Sequence, residues 1–161
     1  MTTYIADTDH YSQVIAQIPK VKRLLWIATA DLKDLYVEKK SGAVVPLLQI
    51  LNDLVKKGVE VRLIHAKEPG TAFREDFDKY PALWGGMERR LCPRVHMKII
   101  VMDSNLVYVG SANLTGAGMG MKSAANRNCN EPQKLNTKLL GFVICTRNIQ
   151  LKNVYWLYKN A

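Results

Sequence analysis

Residues 95–113 read Val-His-Met-Lys-Ile-Ile-Val-Met-Asp-Ser-Asn-Leu-Val-Tyr-Val-Gly-Ser-Ala-Asn. Two apolar runs, Val95–Met102 and Leu106–Val109, flank the short polar link Asp103–Asn105. A link of this length joins neighbouring antiparallel strands, because Asp and Asn tolerate the unusual backbone angles of a tight turn. The stretch therefore predicts an antiparallel β-hairpin whose apolar residues build a rigid core.

Polar side chains flank one end of this hairpin. His96 and Lys98 are two residues apart and so share one face of a strand, and Ser111 and Asn113 have the same spacing where the partner strand ends. An imidazole, a fixed cation and two hydrogen-bonding groups suit a negatively charged tetrahedral centre, as in phosphoryl transfer. No carboxylate pair stands nearby to hold a metal, so we expect chemistry without metal or cofactor.

The rest of the chain predicts a mixed α/β architecture in one domain over residues 1–161. A strand at Leu24–Ala30, a helix with an apolar stripe from Val45 to Val55 and a strand at Val59–His65 form a βαβ unit with parallel strands. Pro46 is expected in the first turn of that helix, and Gly58 just beyond its end. The other predicted elements are an amphipathic helix around Tyr11–Ile18, a short helix at Ala72–Lys79, a strand at Arg90–Arg94, a mobile loop over 114–138, a strand at Leu139–Thr146 and a helix at Asn148–Tyr158.

Length and composition restrict the class of protein. The chain has 161 residues, of which 48% are hydrophobic, as expected for one globular domain. Its three cysteines, Cys92, Cys129 and Cys145, are widely spaced and form neither a disulfide framework nor a zinc site. The sequence shows no membrane-length apolar run and no signal-peptide pattern, so we expect a cytoplasmic protein without stable membrane association.

Positive charge is concentrated in the last third of the chain. The formal net charge is +9, and residues 104–161 contain seven basic side chains but a single acidic one, Glu131. A basic surface favours nucleic acid or anionic lipid through counterion release, although the same charge also keeps a protein soluble. The basic residues predicted to contact a polyanionic substrate are Arg89, Arg90, Arg94, Lys122 and Arg127.

The polar residues of the hairpin follow a longer pattern. It reads His96-x-Lys98-x4-Asp103-x6-Gly110-Ser111-x-Asn113. This spacing resembles the motif of the phospholipase D superfamily at every defined position. The order of elements around it is also similar to one half of a phospholipase D fold, which implies a mixed β-sheet flanked by helices.

The resemblance implies a role for each residue of the motif. In that family the histidine attacks phosphorus to give a phosphohistidine, while lysine and asparagine hold the nonbridging oxygens. These roles pass to His96, Lys98 and Asn113. Ser111 would hydrogen-bond within the site, and Asp103 would fix the turn rather than contact the substrate.

Family members build one active site from two such motifs, but this chain contains one. A double displacement needs a nucleophile and an acid, and one imidazole cannot be both in the same step. We therefore expect a two-fold symmetric homodimer with its active site at the interface, similar to the small single-motif nucleases of the superfamily. Glu131 is the sole candidate for the family's histidine-orienting carboxylate, and an ordinary loop role for it stays open.

The resemblance thus implies a metal-independent phosphodiesterase, an endonuclease acting on DNA or RNA. A phospholipid-directed hydrolase or phosphatidyltransferase is one alternative, since it shares the reaction centre, but it needs a membrane-facing apolar patch that the sequence does not show. A noncatalytic nucleic-acid-binding module of the same fold is the other. It would follow if the displaced carboxylate has abolished turnover.

Overall fold

The computed structural model describes residues 1–6, 8–33, 35–67, 70–116, 119 and 140–145. The strands are β1 (Thr2–Ala6), β2 (Leu24–Thr29), β3 (Leu32–Lys33), β4 (Tyr36–Glu38), β5 (Val44–Pro46), β6 (Glu60–His65), β7 (Met87–Leu91), β8 (Ile99–Met102), β9 (Leu106–Gly110), β10 (Leu114–Thr115) and β11 (Leu140–Cys145), and the α-helices are α1 (Leu47–Lys56), α2 (Thr71–Asp78) and α3 (Ala82–Gly86). A mixed seven-stranded sheet has the order β1-β11-β9-β8-β2-β6-β7. The predicted mixed sheet with helices is thereby confirmed.

Three neighbouring strands, β2, β6 and β7, run parallel. Helix α1 connects β5 to β6, which confirms the predicted βαβ unit, and Gly58 follows the helix with a φ of 81°. The prediction for Pro46 was wrong, because this residue closes β5 with a ψ of 145° and α1 begins one residue later. The extended ψ places Pro46 outside the first helical turn.

The remaining strands of the large sheet pair in antiparallel fashion. The predicted hairpin of β8 and β9 is confirmed, and its turn places Asp103 and Ser104 at φ values of 51° and 61°. The predicted start of its first strand at Val95 was wrong, because β8 begins at Ile99 and His96 and Lys98 precede the strand. Strand β11 confirms the predicted strand near Leu139–Thr146 and pairs with β9 on one side and β1 on the other. Strand β1 was not predicted, since its partner lies almost the whole chain length away.

The predicted strand Arg90–Arg94 was wrong in its bounds. Strand β7 ends at Leu91, where Pro93 follows and has no N–H to continue a ladder. Residues 92–98, the crossing segment, then pass the carboxyl ends of β6 and β2 before β8 begins. Val95 of this segment is buried against Ala28 and Ile64, so a small apolar cluster fixes the segment to the sheet.

The predicted amphipathic helix near the N-terminus takes a different helical form. His10–Val14 is a π-helical turn and Ile15–Lys20 a 3₁₀ turn, rather than one α-helix. Pro19 explains the 3₁₀ geometry, because proline lacks the N–H of an α-helical bond and clashes with the carbonyl four residues earlier. The apolar residues of the turns are nevertheless buried, as their spacing predicted.

The main core lies between the large sheet and α1. Leu51 and Leu54 of α1 pack with Leu25, Leu63 and Ile100 of the sheet, and all five side chains are at least nine-tenths buried. Each such side chain contributes about 1.5–3 kcal/mol by leaving water. Helix α2 confirms the predicted short helix near Ala72–Lys79.

Two predicted elements lie mostly or wholly outside the described residues. The loop predicted from residue 114 begins instead with β10, and most of its remainder lies outside the described residues, as does the predicted helix Asn148–Tyr158. None of the described helices has the length and apolar character needed to cross a bilayer.

Candidate active site

One edge of the large sheet, where several strands end, carries all the polar side chains of the motif except Asp103. Strands β2, β6 and β9 end there, at Thr29, His65 and Gly110, and β8 begins there. The backbone N–H of Gly110 donates to the carbonyl of Lys98 at 3.0 Å, which continues the β8–β9 pairing one step beyond the ladder. The end of one hairpin strand is thus held beside the residues that precede the other.

His96 and Lys98 lie in the crossing segment and contact each other. Lys98 is 5% exposed, whereas His96 is exposed to solvent. The Lys98 ammonium donates to the His96 carbonyl oxygen at 2.6 Å and lies 3.2 Å from the imidazole Nδ1. The structure therefore places an accessible imidazole directly over a buried cation.

The electrostatics of this pair follow from burial. Desolvation lowers the pKa of Lys98 below its ordinary value, because the protein interior solvates an ammonium less well than water does. When the ammonium donates to Nδ1, a neutral imidazole carries its proton on Nε2. In this arrangement Nε2 is a hydrogen-bond donor, and it can act as a nucleophile only in the other tautomer, whose proton is on Nδ1.

The segment after β9 lies at the same edge. Ser111 is exposed, Ala112 is fully buried and Asn113 is half-buried. The Asn113 Oδ1 atom is buried and has no hydrogen-bond partner within the described part of the chain. The oxygen can accept from a bound donor, while the amide NH2 of the same side chain is the group that can donate to an anion.

Thr29 anchors this segment, and sequence reasoning did not single it out. Its hydroxyl accepts a hydrogen bond from the Leu114 N–H at 3.2 Å and donates to the Asp31 carbonyl at 2.8 Å. Thr29 is fully buried at the end of an apolar strand. A polar residue in that position was the available signal, since buried hydroxyls need partners.

Tyr108 supports the Ser111–Asn113 segment from the sheet. Its side chain is fully buried, and burial raises the pKa of the phenol to about 12 although the Ala112 backbone N–H opposes the change. The ring meets His10 edge-on with centroids 5.7 Å apart. Gly141 leaves room for it, because a Cβ there would lie 2.5 Å from Tyr108 Cε2.

Asp103 lies at the opposite end of the hairpin from His96 and contacts backbone instead of the site. Its carboxylate accepts hydrogen bonds from the N–H groups of Lys22, Arg23 and Leu24 at distances between 2.7 and 3.2 Å. Burial opposes ionisation, but these donors and the Arg23 guanidinium lower the carboxyl pKa below its ordinary value. The carboxylate therefore ties the turn to the start of β2.

The predicted substrate-binding residues fall into two groups. Arg89 and Arg90 lie on β7, where the Arg89 guanidinium is 5.5 Å from the Phe77 ring centre and Arg90 lies 3.5 Å from the Glu88 carboxylate. Arg94 is exposed two residues before His96. The other predicted residues, Lys122, Arg127 and the orienting candidate Glu131, lie outside the described residues.

No group of three or more His, Cys, Asp or Glu side chains that could hold a metal ion occurs among the described residues. The arrangement offers instead an exposed imidazole, a buried cation, a hydroxyl and a half-buried amide. Together these groups can bind and attack an anionic tetrahedral centre.

A family model described as cardiolipin synthase, PLD-like domain, matches residues 14–136. The chain belongs to the phospholipase D superfamily. Among curated relatives, a cardiolipin synthase of Clostridium perfringens is 23% identical over 145 residues, which are 83% of this chain and 28% of that protein. Cardiolipin synthase 1 of Staphylococcus aureus is 26% identical over 130 residues, or 73% of this chain and 25% of that protein.

Solved structures show the same fold at low sequence identity. NucT from Helicobacter pylori has a TM-score of 0.63 and 13% identity, with 99% of this chain and 94% of that chain covered. Nuc from Salmonella typhimurium, a phospholipase D family member, has a TM-score of 0.59 and 15% identity, with 99% and 91% covered. The chain spans about a quarter of the cardiolipin synthases but nearly all of these two superfamily structures.

Proposed function

We propose that this chain is a metal-independent phosphodiesterase that cleaves DNA or RNA as an endonuclease, through a covalent phosphohistidine in a cytoplasmic homodimer. The observation that carries the proposal is the contact between exposed His96 and buried Lys98 beside the Ser111–Asn113 segment. The hydrogen bond from the Gly110 N–H to the Lys98 carbonyl supports the proposal further, because it joins the two segments of the motif.

The contact also suggests how the nucleophile is activated. A substrate phosphate is a stronger acceptor for the Lys98 ammonium than an imidazole nitrogen is. When Lys98 turns to a nonbridging oxygen, the imidazole proton can reside on Nδ1 and the Nε2 lone pair is free. Nε2 then bonds to phosphorus while the bond to the leaving oxygen breaks.

The leaving oxygen needs a proton, and His96 has used its lone pair. In the proposed dimer, His96 of a second copy supplies that proton and later accepts one from the water that hydrolyses the phosphohistidine. Asn113 and Lys98 hold the nonbridging oxygens, and Ser111 hydrogen-bonds within the site. Each copy thus contributes one histidine to each turnover.

Charge supports nucleic acid as the substrate. The net charge of +9 favours binding to a polyanion, and Arg94 lies close to His96 in the crossing segment. TrmBL2, an archaeal chromatin protein described as having a novel mode of DNA binding, shares the fold with a TM-score of 0.56 and 12% identity. A noncatalytic DNA-binding role is therefore a distinct outcome of the test below.

A phospholipid-directed hydrolase or transferase is the second candidate, and the curated relatives favour it. Those relatives are cardiolipin synthases, and the phosphatidylserine synthase of Haemophilus influenzae shares the fold with a TM-score of 0.58. Both functions use the same reaction centre. Substrate assays with the same variants separate them.

The first experiment measures cleavage of plasmid DNA, single-stranded DNA and RNA in excess EDTA, with phosphatidylglycerol vesicles assayed in parallel. We expect nucleic acid to be cut, His96→Ala to be inactive, and Lys20→Ala, which removes an exposed cation away from the site edge, to match the unmodified protein. Loss of cutting in EDTA contradicts the metal-free mechanism. Binding without cutting favours the noncatalytic module, and turnover of lipid alone favours the second candidate.

A mixing experiment tests the shared site. A fixed amount of active protein is allowed to exchange subunits with a threefold excess of His96→Ala protein. If each site needs two copies of His96, activity falls to about a quarter, because most active chains then pair with inactive ones. Unchanged activity refutes the dimeric site while leaving the phosphodiesterase proposal intact.

A further inference from the structure

A cleft opens beside the candidate site, between the β4–β5 hairpin, the start of α1 and α2. Its volume is about 400 Å³, including the mouth that is open to solvent. Leu35 and Leu47 form buried parts of its wall, and the rings of Tyr36 and Phe73 line it as well. Two charged side chains, Lys33 and Asp76, also line the cleft.

The cleft and the catalytic edge share a small two-stranded sheet. Strands β3 and β10 pair in parallel, with Leu32 opposite Leu114 and Lys33 opposite Thr115. Both β3 residues line the cleft, and Asn113 immediately precedes β10. The cleft therefore adjoins the strand pair that follows Asn113.

The residues that line the cleft suit a flat, polar ring. Tyr36 is 46% exposed and Phe73 is partly buried, so aromatic faces are available for stacking. Lys33 is largely solvent-exposed, 3.9 Å from Asp31, and the Asp76 carboxylate accepts from Lys79 at 2.7 Å with capacity left for a further donor. A nucleobase offers both a π-face and hydrogen-bonding edges, whereas an acyl chain has no group that could bind Lys33 or Asp76.

We propose that this cleft binds a nucleobase of the substrate, adjacent to the phosphate that is cleaved. The inference rests on the proposed nuclease function, because it names the substrate group that the same site recognises. Stacking on Tyr36 supplies affinity without strong preference for one base, since every base has a π-face. Asp76 adds a preference for bases with an exocyclic amine, because the amine can donate a hydrogen bond to the carboxylate.

Binding of small probes tests the inference without requiring catalysis. Adenosine 5′-monophosphate and ribose 5-phosphate share sugar and phosphate and differ in the base. We expect the nucleotide to bind about tenfold more tightly and to shift amide resonances of Tyr36 and Phe73 in NMR spectra. Equal affinities, or shifts confined to the His96 edge, overturn the proposal.

Variants assign that preference to the cleft. Tyr36→Ala is expected to remove most of the tenfold difference, and Tyr36→Phe to retain it, because the ring rather than the hydroxyl stacks. Tyr4→Ala is the matched control, since Tyr4 is similarly exposed, at 53%, on β1, an edge strand of the large sheet that does not line the cleft. Asp76→Asn gives a second readout, a weakened preference for adenine over uracil, should Tyr36→Ala fail to fold.

Two further assays distinguish failure of this inference from failure of the nuclease proposal. An oligonucleotide with abasic sites has the same phosphates as the normal strand, and we expect its kcat/KM to be about tenfold lower. Equal cleavage of both strands refutes the base site while confirming a nuclease. If no nucleic acid is cut, preference for the nucleotide still supports the cleft, and shifts at Tyr36 caused instead by dihexanoyl phosphatidylglycerol refute it.

Discussion

Replacing Asp103 by asparagine is expected to destabilise the fold while leaving the reaction centre unchanged. The carboxylate receives three backbone N–H donors from the start of β2, and the residue has a φ of 51° that asparagine also tolerates. The substitution therefore removes charge-assisted hydrogen bonds without adding backbone strain. It separates the structural role of the motif aspartate from a chemical one.

The magnitude follows from the bonds that are lost. Hydrogen bonds to a charged group contribute about 1.5–3 kcal/mol each when buried, but two of these donors are solvent-exposed and can bind water instead. We therefore expect a total loss of about 2 kcal/mol. For a chain of this size that corresponds to a fall in Tm of about 4–8 °C.

The assay is thermal unfolding followed by circular dichroism at several pH values. Because the folded carboxyl has a pKa below its ordinary 3.8, its stabilisation is complete above that value and is lost as the pH falls through the lower folded pKa. The difference in Tm between the two proteins should therefore shrink in acid. Asp53→Asn is the control, since the Asp53 carboxylate pairs with Lys39 at a partly exposed site and should change Tm by less than about 2 °C.

Two results would refute this reasoning. A Tm for Asp103→Asn within about 1 °C of the unmodified protein at neutral pH would show that the three donors are satisfied equally well without the carboxylate. A large loss of kcat in a variant that is fully folded at the assay temperature would show that Asp103 takes part in the chemistry. Neither result is expected from its place at the far end of the hairpin.

Three other substitutions test separate features of the site and its support. Lys98→Met should abolish phosphodiester turnover but raise Tm by about 2 °C or more. The stabilisation is expected because a buried ammonium, whose pKa is lowered, opposes folding at neutral pH. A lower Tm would contradict this account. Gly141→Ala should cost about 1–3 kcal/mol in urea unfolding through contact with the Tyr108 ring, whereas Gly85→Ala, which has open space, should not. Tyr108→Phe should make the protein more resistant to unfolding at alkaline pH. The pKa of the Tyr108 phenol is raised to about 12, so its contribution to stability is complete below pH 10 and is lost as the pH rises through 12. Equal loss of stability in alkali for the two proteins would argue against this.

The local elements of the fold were predictable because their signals are local. Asp103–Asn105 joins two apolar runs, and Gly58 follows the apolar stripe of α1, so the hairpin and the βαβ unit follow from short stretches. Strand β1 was missed because its partner, β11, begins more than 130 residues later, and no short-range pattern specifies such a pairing. The form of the first helix depended on Pro19, whose effect on the turn type is clear only in three dimensions.

The sequence predicted which residue types form the candidate site, but it did not predict how they are arranged. The spacing of His96, Lys98 and Asn113 gave the residue types, but the strand register alone gave neither the burial of Lys98 nor its contact with His96. Thr29 was missed because its role depends on a hydrogen bond to Leu114, 85 residues away. The cleft likewise depends on the pairing of β3 with β10, two strands too short to predict from periodicity.

The crossing segment has a consequence for how the reaction centre responds to change elsewhere. Residues 92–98 connect the parallel strands to the antiparallel ones, and among the described residues Val95 is their main apolar anchor. A movement of the parallel strands relative to the antiparallel strands would therefore displace this segment. We therefore expect trimming of the Val95 side chain to displace His96 although no residue of the motif is substituted, so the geometry of the site would depend on an aliphatic residue outside the motif.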